Sequence, residues 1–238
     1  YWIGCEVSSV LLAGTKYNSD MSSIKIINSI KLDSKGVRVK DANGKYILLH
    51  KRQGDMDGAC AVYSLAMAML CIGVITNEDL QVYANPDRRT CKGKFLSHFL
   101  EEQGLVRRGY SFISMAREIR KSSFNLDAIR KNPKEDDDII NAIADFIDKE
   151  SPVIISTDFK EGAHALLAVG YEITDDSDKI TKILCLDPGE EAPKYSCWNC
   201  IIDVSHKNEK SEYPYVCITR TQAYRVTLGD ILMIKKAE

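Results

Sequence analysis

Residues 53–73 read QGDMDGACAVYSLAMAMLCIG, and two halves of opposite character meet within them. Gly54, Asp55, Asp57 and Gly58 favour a turn, whereas AVYSLAMAML is built largely of good helix formers. Cys60 stands at the junction. A side chain in the first turn of a helix meets unpaired backbone N–H groups and the positive end of the helix dipole. Both stabilise a thiolate over a thiol. An isolated cysteine on an apolar helix is more often a small core residue, and Cys71, farther along the same helix, fits that description. Cys60 therefore needs partners before it counts as reactive.

Partners are found on both sides of it. EGAHALLAVGY sets His164 at the head of an alternating strand, where the strand fixes the backbone and the ring can face a cleft. KILCLDPG ends a hydrophobic strand at Asp187, just before Pro188-Gly189. A carboxylate beside the His164 strand can accept a hydrogen bond from the imidazole, which fixes its tautomer and favours the protonated ring. Gln53, upstream of Cys60, has a side-chain amide that can loop back and donate to a developing oxyanion alongside the Cys60 N–H. The remaining histidines, His50, His98 and His206, fall at the end of a hairpin strand, in a helix and in a charged loop. Each piece has a plain structural reading, since Asp-Pro-Gly alone is common turn chemistry. The order is the signal: glutamine, cysteine at a helix start, histidine at a strand start, aspartate at a strand end.

That order resembles the papain-like cysteine peptidase superfamily. Within it, HALLAVGYEI and ILCLDPG are most similar to the double-glycine leader peptidases of bacteriocin exporters and their relatives. The resemblance implies an α+β, papain-like fold in which a helical lobe carrying the nucleophile packs against an antiparallel β lobe. It implies Cys60 as nucleophile, His164 as base, Asp187 as orienter and Gln53 as oxyanion donor, acting on a protein or peptide substrate without a cofactor. Two features depart from that family. Its nucleophile usually sits in Asp-Cys-Gly, whereas this chain has GACAV, and Gln53 is one residue farther from the cysteine than is typical. No membrane or ATPase segment of an exporter accompanies the motifs, so leader processing is not implied.

The rest of the chain divides into three. Residues 1–50 read as a β-rich extension, with GVRVKDANGKYILLH forming two runs joined through Asn43-Gly44, a pair suited to a tight hairpin turn. Residues 51–150 read as helical. Thr76 caps NEDLQVYA, KFLSHFLEEQG stops at Gly104 with Phe95, Phe99 and Leu100 on one side, and SFISMAREIRKSS follows. EDDDIINAIADFIDKE then places Ile139, Ile140, Ile143, Phe146 and Ile147 on one stripe. Residues 151–238 turn to β, in VIIST, HALLAVGYEIT, KILCLD, YVCITR and YRVTLGDILMIKK.

Composition narrows the function. A net charge of −2 offers no general attraction to nucleic acid or anionic membrane. The longest apolar run, Ala59 to Ile75, carries Tyr63 and Ser64 and falls short of the roughly 20 residues of a membrane span. The chain opens at Tyr1, as a processed product or a piece of a longer protein would, and YWIGCEVSSVLLAG lacks the basic leader of a signal peptide. Eight cysteines in 238 residues are too sparse for a disulfide scaffold, which favours a reducing compartment, the cytoplasm. Locally basic positions from Pro86 to Lys134 read as a solvated face rather than a nucleic-acid surface.

Three rival functions follow from the same residues. A transglutaminase, deamidase or acyltransferase uses the same triad with a different acyl acceptor. A binding module keeps the scaffold without turnover. A zinc site draws on CWNC (Cys197 and Cys200) with His206 and Cys217, at a spacing that matches no standard finger. A structural thiol pair or a disulfide is the simpler reading of CWNC.

Overall fold

The computed structural model describes residues 21–54, 58–81, 85–98, 110–122, 124–132, 136–174 and 177–237. Tyr1, Asp55, Asp57, Phe99, Leu100, Gly104 and Lys134, named above, lie outside them. The amino-terminal alternation produces four short strands: β1 (Ser22–Ile26), β2 (Lys31–Asp33), β3 (Gly36–Lys40) and β4 (Tyr46–Leu48). β2, β3 and β4 form a three-stranded antiparallel sheet. The β3–β4 turn is looser than the Asn-Gly pair implies. A two-residue type I′ turn needs positive φ at both central positions, and only Gly44 has one, at 75°. Asp41 organises the loop instead. Its Oδ1 accepts the N–H groups of Asn43 at 2.9 Å and Lys45 at 3.0 Å.

The helices follow: α1 (Cys60–Cys71), α2 (Cys91–Ser97), α3 (Phe112–Lys121) and α4 (Asp136–Asp148). The stripe foreseen on α4 is buried, Ile139 and Ile143 almost completely. Thr76 caps as expected, accepting the Asp79 N–H while Asp79 accepts its own. What it caps is only a single 3₁₀ turn, Glu78–Leu80. The stretch read as helical also contains a strand, β5 (Leu126–Lys131). Leu126 and Ala128 are buried with less buried residues between them, a two-residue period that the flanking helices obscured.

The remaining strands are β6 (Val153–Phe159), β7 (Gly162–Thr174), β8 (Ile180–Leu186), β9 (Cys200–Asp203), β10 (Tyr215–Thr219) and β11 (Ala223–Lys236). They pair antiparallel in the order β7-β6-β11-β10-β9-β8, and β8 returns to β7. Six strands thus close on themselves as a barrel, which removes the exposed edges an open sheet would carry. β1 extends the sheet along β7, and β5 along β11. The protein is therefore a mixed fold, with four helices and a large antiparallel sheet among the described residues. α1 lies against β7, β6 and β3, α3 against β5 and β11, and α4 against β7, β11 and β6. Each of these helices buries its apolar face on strands.

The barrel register places the chemistry. Leu186, the last residue of β8, pairs with Leu167 of β7. Asp187 therefore emerges beside the start of β7, where His164 lies. Beyond Leu167 toward that start, the β8-side edge of β7 has no strand partner, and α1 occupies it.

Candidate active site

Cys60 is the first residue of α1, as the turn-to-helix junction implied. Neither the N-cap residue Ala59 nor any residue of the first turn supplies a capping or acidic side chain. The backbone donors at that end remain for the sulfur, which is hydrogen-bonded by the N–H groups of Ala165 and Ala61. One turn on, the buried Ser64 donates its hydroxyl to the Ala165 carbonyl at 3.1 Å. Ala165 thus meets α1 with both of its backbone groups, and this clamp holds Cys60 next to the residue before Ala165, which is His164.

His164 is joined to two of its predicted partners. Its Nε2 lies 2.7 Å from Asp187 Oδ1, and the ring also hydrogen-bonds Cys60. Burial works against a charged ring, but Asp187 and Cys60 outweigh it and push His164 up to about 10. Burial also raises the Cys60 thiol. The bond and charge of His164, with the two backbone N–H groups, more than reverse this and hold the thiol below its ordinary value of 9.0. The two shifts agree in direction: each favours the charged form, a thiolate beside an imidazolium.

Asp187 is itself held on every side. It is 4% exposed, and its Oδ1 also accepts the Gly189 N–H at 2.6 Å. Its backbone N–H donates to Asn199 Oδ1 at 2.7 Å, and its carbonyl accepts Asn199 Nδ2 at 3.0 Å. Asn199 spends its second amide hydrogen on the Glu191 carbonyl at 3.1 Å. His50 lies 2.8 Å from the same Asp187 carbonyl through Nε2. Burial lowers the pKa of His50, so the ring is neutral at pH 7 and this contact makes Nε2 the protonated nitrogen. In the sequence His50 stands at the end of a hairpin strand and Asn199 lies inside CWNC. Nothing local in the sequence marks either as a partner of Asp187, because both act through its main chain.

Gln53 lies beside the same turn. Its N–H donates to the Pro188 carbonyl at 2.8 Å. A Cβ built on Gly189 would stand 3.1 Å from Asp187 Oδ1, and 3.8 Å from both Gln53 Nε2 and His164 Cε1. The glutamine amide, the imidazole and the carboxylate thus surround a glycine that leaves them room. Gln53 Oε1 is buried without a hydrogen-bond partner among the described residues.

The other motifs fall elsewhere. Cys200 faces Cys217, with their sulfurs 3.3 Å apart, rather than Cys197, and all three are free thiols. His206 Nδ1 bonds its neighbour Ser205. Among the described residues no group of three or more histidine, cysteine, aspartate or glutamate side chains is arranged to hold a metal ion. No described helix is long and apolar enough to cross a membrane.

No protein-family model and no curated protein matches the chain. Among solved structures it is similar to UfSP from C. elegans, at 13% identity and a TM-score of 0.46. The match covers 95% of this chain but only 35% of that one, too remote a likeness to bear on fold family or activity.

Proposed function

We propose that the protein is a cysteine peptidase of papain-like type. The observation that carries this reading is the relay from Asp187 through His164 to Cys60, with the aspartate 2.7 Å from His164 Nε2 and Cys60 hydrogen-bonded to the same ring. The Cys60 thiolate attacks an amide carbonyl, and the charge that develops on oxygen is met by the Cys60 N–H and the Gln53 side-chain amide. His164 passes its proton to the leaving amine as the C–N bond breaks, giving a thioester. It then takes a proton from water, whose oxygen attacks the thioester, which releases the acid and restores the thiolate beside the protonated ring. Asp187 keeps the ring aimed throughout.

The partner this chemistry calls for is a polypeptide. Several cations of the basic segment are already engaged within the protein, Arg89 with Asp87, Lys92 with Asp79 and Arg130 with Asp230, which favours a protein ligand over nucleic acid. The seven described cysteines are free, in keeping with a reducing compartment such as the cytoplasm.

Incubation of a peptide library with the wild type and with Cys60→Ala tests the proposal by mass spectrometry. New peptide termini that vanish with the variant are the expected result. A gain of about 1 Da on glutamine, or a glutamine joined to an amine, assigns the same thiol to deamidation or transglutamination. No Cys60-dependent product of any kind leaves only a scaffold without turnover and overturns the reading.

A further inference from the structure

On the α1 side of His164 lies a cavity of ≈ 400 Å³ whose wall includes Cys60 and His164 themselves, with Ser156, Asp158, Asn132 and Asp230 beside them. Among the described residues no lysine or arginine lines it. The local structure explains why two carboxylates face one space. Ser156 and Asp158 are alternate residues of β6 and so share a face. Opposite them, the β6–β11 register shifts between Leu228 and Ile231, leaving Gly229 and Asp230 outside the paired ladder. A bulge of this kind re-aims side chains, often beside active sites.

The two carboxylates differ in what they have left to bind. Asp230 is matched by Arg130, 2.6 Å away, and bonded by Asn132 through its other oxygen. Asp158 is exposed, and its side chain has no hydrogen bond or ion pair among the described residues. The glycine at 229 keeps the space beside it open, since a Cβ there would lie 3.4 Å from Asp158 Oδ2. With the Cys60–His164 pair balanced and Asp230 matched, one negative charge remains uncompensated among the described residues of the wall, and it is Asp158.

We propose that Asp158 selects substrates with a lysine or arginine side chain within two residues of the scissile bond. This deepens the peptidase reading and rests on it for the word scissile. The limit of two residues follows from reach. An extended peptide advances about 3.3–3.6 Å per residue, so a side chain filling a cavity walled by Cys60 belongs next to the attacked carbonyl. A charge-assisted hydrogen bond to the ammonium or guanidinium then supplies preference over an uncharged side chain of similar length, by about tenfold or more.

Two measurements test this, one of which needs no turnover. Iodoacetamides whose amide nitrogen carries an aminopropyl, a propyl or a carboxyethyl group alkylate Cys60 at rates readable by mass spectrometry. The cationic reagent is expected to react about tenfold faster than the propyl one and the anionic reagent slowest, with Asp158→Lys reversing the order. In parallel, matched peptides with lysine, arginine, norleucine or glutamate at each of the two positions flanking the bond give kcat/KM for the wild type, Asp158→Asn and Asp158→Lys. Reversal by Asp158→Lys is a gain that misfolding does not produce, and the lysine and arginine arms separate the two cations. Equal rates for the cationic and neutral reagents, or the same peptide ranking in Asp158→Asn as in the wild type, overturn the assignment even if peptides are cleaved. An intact order of reagents with no peptide cleaved overturns the peptidase reading and leaves the selectivity of Asp158 standing.

Discussion

Helix α1 begins and ends on a cysteine, and the two thiols behave oppositely. Cys71, at the carboxyl end, is 5% exposed, and burial pushes it up to about 12. The Ser29 hydroxyl reaches it at 3.8 Å, and the charge of Glu150 pushes it the same way as burial does. Cys60, at the amino end, also suffers burial as its largest single influence, yet ends below the ordinary value. The contrast therefore does not lie in burial alone. It lies in which end of the helix presents N–H groups rather than carbonyls, and in the strand that each end meets. At the amino end that strand is β7, which brings Ala165 and His164.

The largest expected effect is a direct test of this contrast. With iodoacetamide at pH 7, Cys60 should be alkylated at least about a thousandfold faster than Cys71 in the native protein, because the thiolate fractions differ by three decades or more. Tryptic mapping of short exposures measures both. Comparable labelling of the two would mean that α1 gives its first residue no advantage.

Next in size is the removal of the imidazole. In His164→Ala the burial of Cys60 is no longer opposed by its main partner, so alkylation at pH 7 should fall by on the order of a hundredfold. The midpoint of its pH dependence should move above 9.0, the ordinary value, instead of below it. A variant that keeps the wild-type midpoint would show that the backbone donors alone sustain the thiolate.

The same pair shapes stability with pH. The native His164, raised to about 10, keeps a proton that the unfolded ring releases near 6.5, so its contribution is complete below 6.5 and lost as pH rises through about 10. The lowered Cys60 contributes with the opposite sign, gaining as pH rises from its native value to the ordinary 9.0. The two slopes offset each other from the native Cys60 value up to about pH 9, and above it only the loss remains, at no more than about 1.4 kcal/mol per pH unit. Urea unfolding from pH 6 to 10.5 should show that alkaline fall in the difference between the wild type and the Cys60→Ala/His164→Ala double variant. A difference that grows from pH 9 to 10 would contradict the ion pair.

The sequence exposed one half of this comparison far better than the other. Cys60, His164 and Asp187 were legible because each sits where a local pattern changes, from turn to helix, from loop to strand, from strand to Pro-Gly. Gln53 was placed by order alone, and it lies by the His164 ring and the Asp-Pro turn. The alternation of VIIST, HALLAVGYEIT and the later strands gave the antiparallel sheet, but nothing in it showed that β8 returns to β7. Barrel closure is a matter of register between distant strands. His50, Ser64 and Asn199 were missed for a related reason: they act on main-chain groups of Asp187 and Ala165, which carry no residue-type signal.

Asn199 offers a smaller, more selective perturbation. Asn199→Ala removes its own two bonds to the Asp187 backbone, leaves the His50 contact and frees the Glu191 carbonyl, while His164 and Cys60 keep their own contacts. A looser carboxylate should lower kcat by about tenfold with KM little changed, and weaken the rise in His164 basicity. The kinetic pH profile separates this from simple destabilisation. Its alkaline limb should shift toward neutral pH if Asn199 works by positioning Asp187, and stay in place if it only supports the loop.

The smallest effect belongs to the other end of α1. Cys71→Ala removes a buried sulfur packed beside Ser29 and far from any donor that would ionise it. The loss is one polarisable atom and its contacts, which should lower unfolding stability by about 1 kcal/mol. The Cys60 alkylation rate and its pH midpoint should not move, because the influences on Cys60 come from β7 and the first turn of α1, not from the opposite end of the helix. Denaturant titration beside an alkylation time course measures both. A change in Cys60 reactivity without a shift in stability would mean that the helix couples its two ends, and the contrast between them could no longer be assigned to local donors.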